Sequence, residues 1–330
     1  MRAIVQQRYG GPEAWELREV ADPVPGRGQV VVRVEAAGVD RGTWHVMRGL
    51  PMIARPALGW RGPRVPTPGR DLAGVVAAVG PEVTGLAVGD PVFGTGRGSL
   101  AELALARADQ LALRPASLGP VEAAAVPVSG QTALQALRHP GRVQPGERVL
   151  VLGASGGVGT YAVQLASAFG ADVTGVCSAA KADLVRSLGA SRVLDYRTDS
   201  LSTDTLGADG SRFDRVLDIG GNRPLAQLRS LLTPRGTLVI VGGEGGGRWT
   251  GGMARPVGAA ARSPFVAHNL VMLVARERGE DVARLARLAE AGAYRPVVER
   301  VFPLEEAAKA MGHLEAGHAR GKLVVRVAAA

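Results

Sequence analysis

Hydrophobic and polar positions change rhythm once along the chain, near residue 118. Before that point apolar residues recur in steps of two. Val30, Val32 and Val34 turn one face of a strand over 29–36 inward, and further strands are expected over 3–5, 71–79 and 90–93, with 99–106 pairing onto the last two. An antiparallel, β-rich lobe follows. Prolines at 51, 56, 63, 66 and 68 break up the stretch 51–69, which reads as a surface loop without helix. Beyond residue 118 short apolar runs at 148–152, 173–177, 192–194, 216–218 and 237–241 alternate with helical stretches such as 158–169 and 180–188. Buried parallel strands joined by crossover helices give this pattern. Gly170 and Gly189 each stand just past a helical run, where a left-handed C-cap is expected. An amphipathic region, 265–291, precedes a closing strand at 323–327. The glycine-rich segment 242–252 follows a strand end and is therefore a candidate site wall.

Composition narrows the class. The 330 residues, 46% hydrophobic and 21% charged, suffice for a buried core and suggest two domains rather than a disordered chain or a coiled coil. The single cysteine, Cys177, excludes an internal disulfide and any Cys₄ or Cys₂His₂ zinc site. No secretory signal and no charge-free apolar stretch of about 20 residues is present, so a soluble, cytoplasmic protein without a membrane partner is expected. The formal charge of +9 raises nucleic acid as a partner, but the basic residues are dispersed and aromatics make up only 4%. Anionic small molecules are the better match.

The sharpest local signal is the segment 148–159, RVLVLGASGGVG, in which a buried strand runs through a glycine turn into a helix. That is the context of a dinucleotide-binding fingerprint. Gly156 lets the backbone approach a pyrophosphate, Gly159 lets helix pack on strand, and the helix N-terminal amides of the turn Ala154, Ser155, Gly156, Gly157, Val158 face the anion. Ala154 replaces the first glycine of the usual hexamer. About 20 residues further on, where a carboxylate would hold the ribose 2′-hydroxyl of NAD, the strand ends instead in Val176, Cys177 and Ser178, with Lys181 just beyond. A hydroxyl and an ammonium suit a 2′-phosphate, so NADPH is expected as the cofactor.

Taken in order, the motifs resemble those of the zinc-free branch of the medium-chain dehydrogenase/reductase superfamily, the quinone oxidoreductase-like enzymes. They include MRAIV at 1–5 with YGGP at 9–12, PGRGQVVVRVEAAG at 25–38 and GDPVFG at 89–94. AVPVSGQTA at 125–133, the glycine turn, LDY at 194–196 and RGKLVV at 320–325 complete the set. The resemblance implies an α/β chain: a Rossmann doubly wound parallel sheet over 123–264, and a GroES-like β-rich catalytic domain made from 1–122 and the returning segment 265–330. It also implies an active site in the cleft and a homodimer whose Rossmann sheets meet edge to edge. Carried over by position, Ser178, Lys181 and Tyr196 surround the adenosine 2′-phosphate. Ser129, Thr132, Val241, Gly242 and Gly243 lie beside the nicotinamide end, and Lys322 belongs to a C-terminal region that closes over the cofactor. On the residues alone, Tyr196 reads equally as a half-buried strand end and Thr132 as helix packing.

Metal-dependent relatives carry a Gly-His-Glu element where this chain has Gly69, Arg70 and Asp71, and the five histidines show no ligand spacing, so no metal site is expected. Without a metal, hydride from C4 of NADPH requires an acceptor that is already electrophilic, a quinone or the β-carbon of an enone. Asp40 stands where the family has an asparagine and His45 where it often has an aromatic hydroxyl, which makes both catalytic candidates, His45 as a proton donor. Equally, Asp40 reads as the cap of the turn 42–44 and His45 as a loop residue. Trp44 and Trp249 are candidate walls for a flat substrate, or packing. A zinc-independent NADPH-dependent reductase of quinones or α,β-unsaturated carbonyls is expected, with a biosynthetic enoyl reductase of a polyketide-like pathway or a non-catalytic NADPH-binding protein as the alternatives.

Overall fold

The computed structural model describes residues 1–199, 212–221, 223–243 and 247–327. Two compact units emerge, one from Met1–Gln131 with Arg276–Ala330 and one from Thr132–Ala275.

In the first unit the eleven-residue strand Gln29–Val39 organises a seven-stranded sheet. One of its edges is taken by Asp71–Val79, antiparallel, from Val30↔Val79 to Gly38↔Asp71. The other edge is long enough for two partners, Leu103–Arg107 at Gln29↔Arg107 and, from the far end of the chain, Lys322–Arg326 at Val39↔Leu323. The strand expected over 99–106 therefore pairs with Gln29–Val39 and not with the strands at 71–79 and 90–93. The predicted alternation holds where it matters: Val30, Val32 and Val34 enter one core with Leu72, Val92, Leu323 and Val325. Inside the proline-rich stretch read as a loop the chain forms a 3₁₀ turn, Met52–Ala54, and a short helix, Arg55–Leu58. Proline is compatible with it because Pro56 falls in the first turn, where a missing N–H breaks no hydrogen bond.

The second unit is a six-stranded, wholly parallel sheet. Its order is Arg192–Asp195, Asp172–Cys177, Arg148–Leu152, Phe213–Asp218, Leu232–Ile240, Asn269–Met272. The strand sequence runs outward in one direction from Arg148–Leu152 and then in the other from Phe213–Asp218, so the two central strands form a topological switch point. This is the doubly wound arrangement. The last strand lies within the region read as amphipathic, whose remaining apolar periodicity belongs to the helix Gly279–Glu290. Gly170 and Gly189 adopt positive φ, +83° and +105°, as C-caps require. Buried Arg215 reaches from Phe213–Asp218 to the carbonyl oxygens of Ala136, His139 and Gly141 at 3.3, 2.7 and 3.1 Å. It satisfies acceptors left over at the end of the helix Pro127–Arg138. Among the described residues no helix is long and apolar enough to cross a membrane.

Candidate active site

On the second unit the site begins where Arg148–Leu152 ends. Gly153, at φ +84°, turns the chain, and its N–H and that of Ala154 both donate to Val176 O, at 3.1 and 3.0 Å. The turn is thereby anchored on the neighbouring strand. Gly156 is the N-cap of the helix Gly157–Ala168, and no side chain caps that terminus. The two glycines of the turn differ in kind. A Cβ at Gly159 would stand 2.1 Å from Gly153 O, so this position is fixed by packing of helix against turn, whereas a Cβ at Gly156 would meet nothing nearer than 3.6 Å. Ala154 and Ser155 are buried, while Gly156, Gly157 and Val158 remain accessible. A bare helix N-terminus with an open glycine in front of it is a cradle for a diphosphate: amide hydrogens converge on it and the helix dipole favours the charge.

The register Asp195↔Cys177 sets two strand ends side by side and so brings Ser178 and Tyr196 together. Tyr196 N–H donates to Cys177 O at 3.1 Å, and the Tyr196 ring is half exposed with the Arg197 guanidinium 5.6 Å above it. Asp195 does not present its carboxylate to solvent alone; it accepts from Ala179 N at 3.1 Å and Arg197 N at 3.0 Å, fixing the 3₁₀ turn Ala179–Lys181. Ser178 starts that turn and half-buried Lys181 ends it. Cys177 beneath is a buried thiol whose pKa is pushed up by burial and by Asp195.

Past the strand Leu232–Ile240, Val241 and Gly242 donate to Asp218 O at 3.0 and 3.2 Å, with Gly243 following. What holds this bend lies outside any local motif. Asp218, 1% exposed, accepts from Gly221 N at 3.1 Å and is ion-paired with Arg255, which also donates to Gly242 O at 3.1 Å. The place of Asp218 at the end of an apolar strand is a signal in the sequence; Arg255 carries no local signal. Thr132 is buried on Pro127–Arg138. Trp249 stands 71% exposed on a turn.

On the first unit Asp40 caps the helix Arg41–Arg48. Its carboxylate accepts from Thr43 N at 2.8 Å and from Thr43 Oγ1 at 3.3 Å, the capping alternative of the two roles open to it. His45 is a helix residue, not a loop one. Its Nδ1–H donates to Leu50 O at 3.1 Å. Trp44 is committed to packing. Its Nε1–H donates to Glu315 at 2.9 Å, Arg41 lies 5.0 Å over its ring, and its edge meets His45. The other face of this helix, Thr43 and Val46, lines a cavity of about 800 Å³ that also takes in Gly69, Arg70 and Arg97.

Lys322 lies in the interior. Only 2% exposed, it donates to Asp71 Oδ2 at 2.8 Å, and Asp71 Oδ1 accepts from Val128 N at 2.7 Å in the first turn of Pro127–Arg138. Burial pushes the Asp71 carboxyl up, opposed by the Lys322 ammonium. A lysine so neutralised is a structural ion of this unit and not a cation held over a surface. Ser129 is buried nearby in sequence, on the same helix. Among the described residues no group of three or more His, Cys, Asp or Glu side chains is placed to hold a metal ion.

An uncapped glycine turn at the switch point of a doubly wound sheet, in one chain with a mostly antiparallel β-rich unit, is the setting of a dinucleotide-binding site. The family descriptions "Alcohol dehydrogenase GroES-like domain" and "Zinc-binding dehydrogenase" match residues 26–116 and 188–325. A chloroplast envelope quinone oxidoreductase homolog of Arabidopsis thaliana is 33% identical, with 98% of each chain covered. Among solved structures, the quinone oxidoreductase from Coxiella burnetii superposes with TM-score 0.86 at 27% identity over 99% of both chains. The mycobacterial Rv1454c, solved in complex with NADPH, does so with TM-score 0.83 at 27% identity over 99% of this chain and 100% of its own. The chain belongs to the quinone oxidoreductase-like family of the medium-chain dehydrogenase/reductase superfamily.

Proposed function

We propose that this protein is a zinc-independent, NADPH-dependent reductase of quinones or α,β-unsaturated carbonyls. The observation that carries the reading is the turn at Gly156, bare of any side-chain cap and open to an approaching group, followed across the sheet by Ser178, Lys181 and Tyr196. The residues fit the cofactor: amides from Gly156 to Gly159 would hold its diphosphate, and a hydroxyl, an ammonium and a phenol would surround its 2′-phosphate. A mycobacterial relative of the same fold was solved with NADPH, which supports the choice. When bound, the nicotinamide supplies a hydride, two electrons that leave NADP⁺ and, with one proton from water, convert a quinone to a quinol or an enone to its saturated ketone. Arg70 stands in the position where a metal ligand would be needed, and its guanidinium is ion-paired with Glu277.

Purified protein with NADPH should reduce simple quinones or 2-enones, and NADH should serve at least tenfold less well in kcat/KM. Failure across a broad panel of both acceptor types overturns the redox reading; tight NADPH binding without turnover of any acceptor points to a non-catalytic role. The reading includes a cytoplasmic enzyme that pairs with its own copy. Supporting self-association, the edge strand Asn269–Met272 has one sheet neighbour, and Phe265 and Val274 beside it are 86% and 67% exposed. Light scattering should return twice the 34.1 kDa chain mass, and Phe265→Asp should lower it.

A further inference from the structure

The cavity of the first unit joins apolar wall to an excess of positive charge. Val46 and Leu58 provide apolar surface and Thr43 a hydroxyl, in a volume suited to a small organic ligand. Five arginines line it against three acids, and the acids are all spoken for: Arg27 with Glu82, Arg107 with Asp109, Arg70 with Glu277. Arg64 and Arg97 are left over. Arg64 turns one nitrogen to Pro56 O at 2.8 Å. Arg97 is held at the backbone, by its own N–H on Leu105 O at 2.7 Å, while flanking Gly96 and Gly98 donate to Arg70 O and Gly69 O at 2.9 and 3.2 Å. The turn bearing Arg97 is thus pinned to the segment bearing Arg70, and two guanidinium-bearing positions are fixed on adjacent backbone.

We propose that this cavity selects acceptors carrying an anionic group, a carboxylate on the acceptor itself or a phosphate on its thioester carrier, through the surplus guanidinium groups of Arg64 and Arg97. The inference rests on the reductase reading and names the substrate class for it. A guanidinium fork matches either anion in a bidentate way, while the apolar wall takes the conjugated system.

The test uses two matched pairs of acceptors: 1,4-naphthoquinone with and without a carboxylate-terminated side chain, and a 2-enoyl thioester of coenzyme A against that of N-acetylcysteamine. Wild-type protein with NADPH should favour the charged member of at least one pair by tenfold or more in kcat/KM, and the pair that responds identifies carboxylate or phosphate. The double variant Arg64→Gln/Arg97→Gln should bring that ratio to within twofold of one, while Arg18→Gln, which removes a charge far from the cavity wall, should keep it. Equal use of both members of both pairs overturns charge selection and leaves the reductase reading intact, as does loss of the preference in Arg18→Gln. No reduction of any of the four counts against the reductase reading instead. Charge selection is then decided by equilibrium dialysis of the carboxylate naphthoquinone, which should bind wild type at least tenfold tighter than the double variant and is refuted by equal binding.

Discussion

The two units build their chemistry from opposite ends of the sequence scale. On the parallel-sheet unit the diphosphate cradle is a property of one continuous segment, 148–159, and of the backbone itself: glycines, a strand end and a bare helix terminus. On the β-rich unit the charges come from remote parts of the chain, Asp71 with Lys322 and Arg70 with Glu277. The proposed cofactor site is a local main-chain device, whereas the charged pairs of the β-rich unit are side chains that only the sheet pairing assembles.

The sharpest way to break this contrast is at the buried pair. Lys322→Met would leave the Asp71 carboxylate without its counter-charge, at a cost of about 3–5 kcal/mol, and Lys322→Met/Asp71→Asn should recover at least half of that. Urea unfolding measures both; a loss under about 1 kcal/mol in the single variant would mean the pair is not what joins the last strand's chemistry to the first lobe. Next come the two glycines of the turn. Gly159→Ala must move backbone atoms 2.1 Å away and should cost about 2–3 kcal/mol of stability. Gly156→Ala has room for its methyl, should fold with wild-type stability, and should weaken NADPH binding at least tenfold, about 1.4 kcal/mol. Equal stability losses in both would erase the distinction between a packing glycine and a ligand-facing one. Asp40→Ala should cost about 1 kcal/mol, the worth of a helix cap, and a much larger loss of turnover than of stability would restore a catalytic role to this carboxylate.

The smallest effect concerns pH. The main-chain N–H and guanidinium of Arg2 hold the Glu102 carboxyl below its ordinary range. Because the folded pKa lies below the unfolded one, the stabilisation is complete above the ordinary carboxylate range and fades as pH falls through the folded value. The side chain is 38% exposed, so water screens the gain to about a few tenths of a kcal/mol. Glu102→Gln should flatten the acid limb of Tm against pH slightly and leave Tm at pH 7 almost unchanged.

What could be read in advance follows the same division. The glycine turn, the strand–helix alternation and the residues at the ends of Asp172–Cys177 and Arg192–Asp195 were legible because each is encoded within a few residues and the parallel register does the rest. Leu103–Arg107 was paired with the wrong strand because alternation defines a face and not a neighbour; the unusual length of Gln29–Val39, with its second edge to share, was the missing fact. Asn269–Met272 is hidden because a four-residue strand has the same apolar content as a turn of helix. Around the catalytic candidates local reading reached its limit. Asp40 and His45 stand out in the sequence as departures from the family pattern, but their hydrogen bonds to Thr43 and Leu50 carry no local signal. Arg255 on Asp218 and Gly242, and Arg97 beside Arg70, had no local signature at all.

Titration calorimetry of NADPH and NADH against wild-type protein and Lys181→Ala tests the central claim most directly. NADPH should bind at least tenfold more tightly than NADH to the wild type, and most of that difference should vanish in the variant while NADH affinity stays the same. Absence of NADPH binding, or equal affinity for the two dinucleotides, would contradict it.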